Sequence, residues 1–218
     1  MILPISNCRL ENRRPLDSDV RRPGTRFSEG LMKRFKTAWL ALFLLAVQSP
    51  ALSQKADGTD GTILMGRHYS FILKEPNEWV MDGRTAKSQG LQSVLYKAGS
   101  SWKAAVVVMY VRVLYKDKTQ PTLERVIADD VNDFLKQSRD SKVSDSRSLS
   151  TRDKKQAVVK EFYDGANKNY ESVAFIDEPK VVVIVALSSR TKDEFDKSIP
   201  AFQALVGSYF FVKELVDR

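Results

Sequence analysis

Ala105-Val106-Val107-Val108-Met109-Tyr110-Val111 and Val181-Val182-Val183-Ile184-Val185-Ala186-Leu187 are the two stretches that decide the fold. Both are rich in β-branched residues and apolar at consecutive positions rather than alternate ones. A strand with water on one face alternates, whereas an unbroken apolar run belongs to a strand covered on both faces. Two such strands require layers on both sides of one sheet.

The layers can be found by working outward. Leu123, Val126, Ile127, Val131, Phe134 and Leu135 recur at three- and four-residue spacing, which predicts an amphipathic helix over 122–138 with Thr122 as its N-cap. Ile199, Phe202, Leu205, Val206 and Tyr209 form a second stripe, with Ser198 as the expected cap and Pro200 in the first turn. Between them, 156–163, 170–176 and 181–188 read as strands joined by the short polar links Asp164-Gly165-Ala166-Asn167 and Asp177-Glu178-Pro179-Lys180. Such links make hairpins, so the three strands are expected to form an antiparallel meander. Ile63-Leu64-Met65, Tyr69–Leu73 and Leu91–Tyr96 complete the set of strands. The expected fold class is α+β, a mainly antiparallel sheet flanked by helices.

The N-terminal part reads differently. Met32 to Ser53 has a basic start (Lys33, Arg34, Lys36), the apolar run Ala38–Val47, Pro50, and the small residues of Ala51-Leu52-Ser53 before Gln54. This is the pattern of a secretory signal peptide cleaved near Ser53-Gln54. The run has ten residues, about half of the roughly 20 that a spanning helix needs, so an anchor through 35–53 is the alternative. Residues 1–31 carry arginines and prolines without apolar periodicity and are read as a disordered extension, with a true start at Met32 as the economical account. Residues 54–61 are polar and glycine-containing and read as a flexible leader, and 62–218 as a single domain.

This division reduces the apparent basicity. The chain of 218 residues has a net charge of +8, but Gln54 to Arg218 carries 26 basic against 23 acidic residues, or +3. A nucleic-acid partner is therefore not expected. Cys8 is the single cysteine and precedes the signal segment, so the exported part has no disulfide and no cysteine for lipid attachment.

Tyr69-Ser70-Phe71 followed by Pro76 and Trp79 resembles the opening strand and turn of the PsbP/DcrB-like family. The stretch from Ala174 through Ser188-Ser189-Arg190, Phe195, Ile199-Pro200-Ala201-Phe202 and Ser208-Tyr209 resembles its closing hairpin and last helix. The resemblance spans Tyr69 to Val212 and implies an α/β/α sandwich with an accessory or binding role at membranes or in extracytoplasmic spaces. Some members are lipid-anchored, and this chain departs from them in lacking the cysteine.

The chemistry-bearing residues point to binding more than to catalysis. His68 is the only histidine and has no accompanying nucleophile motif, so no catalytic residue is assigned. Asp129, Asp130 and Asp133 on the first long helix read as a solvated face, with no metal site assigned. Phosphate loops and zinc spacings are absent, and no cofactor is expected. Arg152, Lys154, Lys155 and Lys160, with Lys168 and Lys180, could form a basic rim for anionic headgroups or an acidic partner. Trp79, following Pro76 in a loop, is the aromatic expected nearest the surface, and Trp102, Phe162, Tyr163 and Tyr170 could line a pocket with it. The function expected is a non-catalytic binding or accessory protein of the cell envelope, acting on a protein partner or a membrane surface. The alternatives are a carrier of a small molecule or lipid in a cavity between sheet and helix, and an unrecognised hydrolase.

Overall fold

A computed structural model describes residues 60–137 and 139–213. The expected extension, signal segment and most of the leader lie outside these residues. Asp60 and Gly61 are part of the fold, since Asp60 ion-pairs with Lys74 and Gly61 lies tight against Ile72 and Leu73.

The chain order is β1 (Thr62–Gly66), β2 (Tyr69–Leu73), β3 (Trp79–Asp82), α1 (Gly83–Ser88), β4 (Ser93–Lys97), β5 (Val107–Tyr115) and α2 (Leu123–Leu135). It continues with β6 (Ser141–Asp145), β7 (Leu149–Ser150), β8 (Gln156–Asp164), β9 (Asn169–Asp177), β10 (Val181–Ser189), α3 (Lys192–Gly207) and β11 (Phe210–Lys213). The large sheet runs β3-β4-β5-β10-β9-β8-β6, with β7 also on β8, and every pairing in it is antiparallel. A small sheet, β1-β2-β11, is antiparallel as well.

The two deciding stretches lie side by side. Val181↔Tyr115 through Ser189↔Val107 pair in unbroken register, and β10 is buried along its whole length. Odd-numbered β10 residues (Val181, Val183, Val185, Leu187) join the core shared with Phe195, Phe202 and Leu205 of α3 and Tyr69 and Phe71 of β2. Even-numbered ones (Val182, Ile184, Ala186) join the core shared with Ala86 of α1 and Val126 and Phe134 of α2. The large sheet is thus covered by α1 and α2 on one face, and by α3 with the small sheet on the other. The meander β8-β9-β10 forms as expected.

Three expectations are corrected. The last helix begins at Lys192, about two turns before the core stripe suggested, because Thr191 caps it by accepting from the Glu194 N–H at 3.3 Å. Ser198 is a buried mid-helix residue and Pro200 lies inside the helix, beyond its first turn. Asp130 is not on a solvated face. It follows Val126 by four residues and precedes Phe134 by four, so it points inward with them, 3% exposed, and meets Arg112 of β5 at 3.3 Å. Trp79 is not near the surface either. It opens β3 opposite Lys97 and packs into the α3-side core, 7% exposed.

Candidate functional site

Thr151-Arg152-Asp153-Lys154-Lys155 is a tight turn between β7 and β8. The Thr151 N–H donates to the Lys155 carbonyl at 2.9 Å and the Lys154 N–H to the Thr151 carbonyl at 3.0 Å. Lys154 takes a φ of 68°, and the Thr151 hydroxyl closes the turn on the Asp153 carboxylate. Two further bonds fasten it to the start of β11: Arg152 N–H to the Tyr209 carbonyl at 3.0 Å, and Phe211 N–H to Asp153 Oδ2 at 3.1 Å. A charged turn is therefore fastened both within itself and to the start of β11.

Beneath the turn lies Glu178, from the β9–β10 link, 2% exposed. It pairs with the Lys155 ammonium and accepts from the Tyr209 hydroxyl at 2.9 Å. Burial pushes the Glu178 carboxyl above the usual carboxylate range, against the opposing pull of Lys155 and Tyr209. Burial, with the Glu178 charge alongside, also pushes the Tyr209 hydroxyl up. Lys155 thus serves the interior, joining the turn, the link and the small sheet.

The other basic residues divide in three ways. Lys160 ion-pairs with Asp145, its register partner on β6, and lies on the α2 side of the sheet with Phe162. Lys168 lies in the β8–β9 turn and Lys180 beyond the other end of β9, roughly 25 Å apart for a nine-residue strand. One continuous basic rim does not form. Arg152 and Lys154 remain, both exposed and without an ion pair among the described residues. The Arg152 guanidinium stacks over the Phe210 ring, 5.6 Å from its centroid.

That contact places the turn against the outer face of the small sheet. Ile63 and Phe210 flank Ile72 in register from the two edge strands. Ile63, Met65, Phe210 and Val212 are all exposed, Met65 by 65%. The result is a set of exposed apolar side chains with Arg152 at its margin.

The aromatics that could have lined a pocket are packed in the cores or against each other. Trp79 belongs to one core, Trp102 and Phe162 to the other, and the Tyr163 and Tyr170 rings meet at a tilt with centroids 4.8 Å apart. His68 occupies the β1–β2 turn with a φ of 68°. Asp129 pairs with Arg125 at 3.1 Å and Asp133 with Lys136 at 3.7 Å, both on α2. Among the described residues no three or more His, Cys, Asp or Glu side chains gather as a metal site would need.

A shallow groove with about 20 Å³ of enclosed space opens on the α3 side of the large sheet. Val159 and Glu161 of β8 and Ser172 of β9 form its floor, with Glu161 and Ser172 directly opposite in register. Ile199, Phe202 and Gln203 of α3 make one wall, and the β6–β7 segment with Ser146, Arg147 and Leu149 makes the other. The carrier alternative supposes a cavity between sheet and helix and assigns no residues to it; the groove's lining comes from four separate segments, with Ile199 and Phe202 read from sequence only as core stripe.

No family model and no curated protein matches the chain. Among solved structures it is similar to the cyanobacterial PsbP (CyanoP) of Synechocystis, at 16% identity and a TM-score of 0.47, covering 75% of this chain and 100% of that one. It is also similar to LpqN, involved in cell envelope biogenesis of Mycobacterium tuberculosis, at 8% identity and a TM-score of 0.40, covering 72% and 87%. A protein of Bacteroides thetaiotaomicron matches at 8% identity and a TM-score of 0.38, covering 71% of this chain and 49% of that one. Likenesses at this level do not establish family membership. Among the described residues no helix is long and apolar enough to cross a membrane.

Proposed function

We propose that this is an exported, non-catalytic binding protein of the cell envelope, and that it works through the outer face of the small sheet and the Arg152–Lys154 turn. The observation that carries the reading is the fixing of Arg152, without an ion partner among the described residues, beside exposed apolar side chains, with exposed Lys154 on the same turn. Arg152 is held on Phe210 by its own main-chain bond to Tyr209 and by the ring beneath it. Fixing an exposed cation in this way lowers the entropy lost when an anionic group docks on it. Apolar neighbours then add area that water leaves on contact.

The matching partner surface is acidic with apolar residues, on an envelope protein or on a bilayer of anionic lipid. Export rests on the signal-like segment 32–53. The test has two arms, flotation with vesicles of anionic against zwitterionic phospholipid, and capture of envelope proteins by the tagged chain. Loss of binding on charge reversal at Arg152 and Lys154 in either arm supports the surface and identifies the partner class. Unchanged binding in both arms removes it.

A lipid carrier is not supported by the α3 groove. Its enclosed space is about 20 Å³, room for about one water molecule, against the about 300–1,000 Å³ of pockets that enclose drug-sized molecules.

A further inference from the structure

Strands β1, β2 and β11 contain no acidic residue, and Lys213 is their only charged one. Residues two apart on a strand share a face, and so do register partners. Leu64, Phe71 and Phe211 are in register and turn together to the α3-side core. Ile63, Met65 and Phe210 therefore turn the opposite way, and all three are exposed. The residues flanking them are basic. Arg152 lies over the Phe210 ring, with Lys154 exposed on the same turn. Arg67 is exposed in the β1–β2 turn, beyond the far end of β1, a strand about 15 Å long. The nearby acids are engaged or lead away. Asp60 ion-pairs with Lys74, Asp153 accepts from the Phe211 N–H and the Thr151 hydroxyl, and Glu178 is buried. Glu75 and Glu78 belong to the link that leaves the small sheet for β3.

We propose that the small sheet docks on a bilayer of anionic phospholipid. This rests on the contact surface proposed above and commits it to lipid rather than to an acidic protein. Protein partners are matched by potentials of both signs set at fixed positions. Protruding apolar side chains beside cations, on strands without a carboxylate, match a surface that is anionic outside and apolar just beneath. A bilayer has that layering, and binding to it scales with apolar area buried plus attraction to the headgroups. Ile63, Met65 and Phe210 enter the acyl boundary, while Arg152 and Lys154 meet the phosphates. Met65, the most exposed at 65%, has the unbranched, adaptable side chain that irregular packing favours. The Arg152 guanidinium presents paired donors to phosphate oxygens.

The test places an environment-sensitive fluorophore on Met65→Cys in the full chain carrying Cys8→Ser. Val80→Cys is the comparison, because Val80 is also exposed but lies on β3 of the large sheet. The probes are vesicles of phosphatidylglycerol with phosphatidylcholine, and of phosphatidylcholine alone. Emission from position 65 is expected to shift to the blue with the anionic vesicles only, and position 80 to stay unchanged. Each cation near an anionic surface strengthens binding roughly fivefold, so Arg152→Gln/Lys154→Gln should weaken the response at position 65 about thirtyfold. Added salt should weaken it as well. A silent position 65, equal shifts at both positions, or a response insensitive to the double variant overturns lipid docking. If position 65 is silent while capture of an envelope protein is lost in that variant, lipid docking falls and the contact surface stands. If capture is insensitive too, both fall.

Discussion

The Tyr209 hydroxyl donates to Glu178 Oε1 at 2.9 Å inside the protein, joining the end of α3 to the β9–β10 link. With Lys155 on the other carboxylate oxygen, this bond ties the charged turn, the large sheet and the first residues of the small sheet into one unit. The rigidity of the proposed contact surface depends on it.

Replacing Tyr209 by Phe removes a hydrogen bond to a charged, buried acceptor while keeping the ring, which packs at a tilt against Phe71 with centroids 5.2 Å apart. The expected cost is about 1.5–3 kcal/mol, read as a lower urea midpoint. Lys154→Ala, on the exposed corner of the same turn, should fall within about 0.5 kcal/mol of the parent. Equal effects would show that the bond carries no special share of stability.

The pH dependence has a definite sign. Burial holds the Glu178 carboxyl above its unfolded value of about 4.3, so the folded state binds the extra proton in that window. Its contribution is fully present below the unfolded value and is lost as pH rises through the folded one. The parent should therefore lose stability relative to Glu178→Gln as pH rises from about 4, then run level with it. Lys155 and Tyr209 oppose this upward push, and the Asp153 charge adds to it. Asp82 behaves oppositely. The Thr85 N–H donates to it at 2.9 Å and holds it below the usual carboxylate range. Its contribution is present above about pH 4 and is lost on acidification through the depressed value. Urea midpoints of Glu178→Gln and Asp82→Asn across pH 3 to 7 should thus diverge from the parent in opposite directions.

Arg112 and Asp130 pair between β5 and α2 with both side chains nearly enclosed. Asp130→Ala leaves a buried cation short of its carboxylate, and a loss of about 3–5 kcal/mol is expected. The double replacement Arg112→Met with Asp130→Leu should recover most of it, because an apolar pair needs no desolvated charge. A double variant as unstable as the single one would show that Arg112 has a further structural role.

Export predicts a processed chain. Intact mass of the protein recovered from the native host should correspond to a start at Gln54. A mass that includes residues 32–53 would instead favour the anchored form.

What the sequence revealed followed the strength of its periodicity. β5 and β10 were legible because consecutive β-branched residues have one stable setting, and α2 because its stripe and the Thr122 cap agree. The start of α3 was misplaced because Pro200 suggested a first turn, although Thr191 and Glu194 already had the spacing of a capping box. Asp130 was misread because its charge outweighed its position between Val126 and Phe134. The sites were the least legible part. The latch joins residues 151–155, 178 and 209–211, and the groove draws on four segments, so neither has a local spacing to read. Of the binding residues expected, Arg152 and Lys154 are free to meet a partner, while Trp79, Lys155 and Lys160 are taken up by packing or ion pairs.

The most direct test of the contact surface compares two tagged chains purified from envelopes of the native host, the parent and Arg152→Glu/Lys154→Glu. Partners or anionic lipid should co-purify with the parent in stoichiometric amount and be lost from the variant, whose urea midpoint stays unchanged. Equal recovery on both chains would contradict the account.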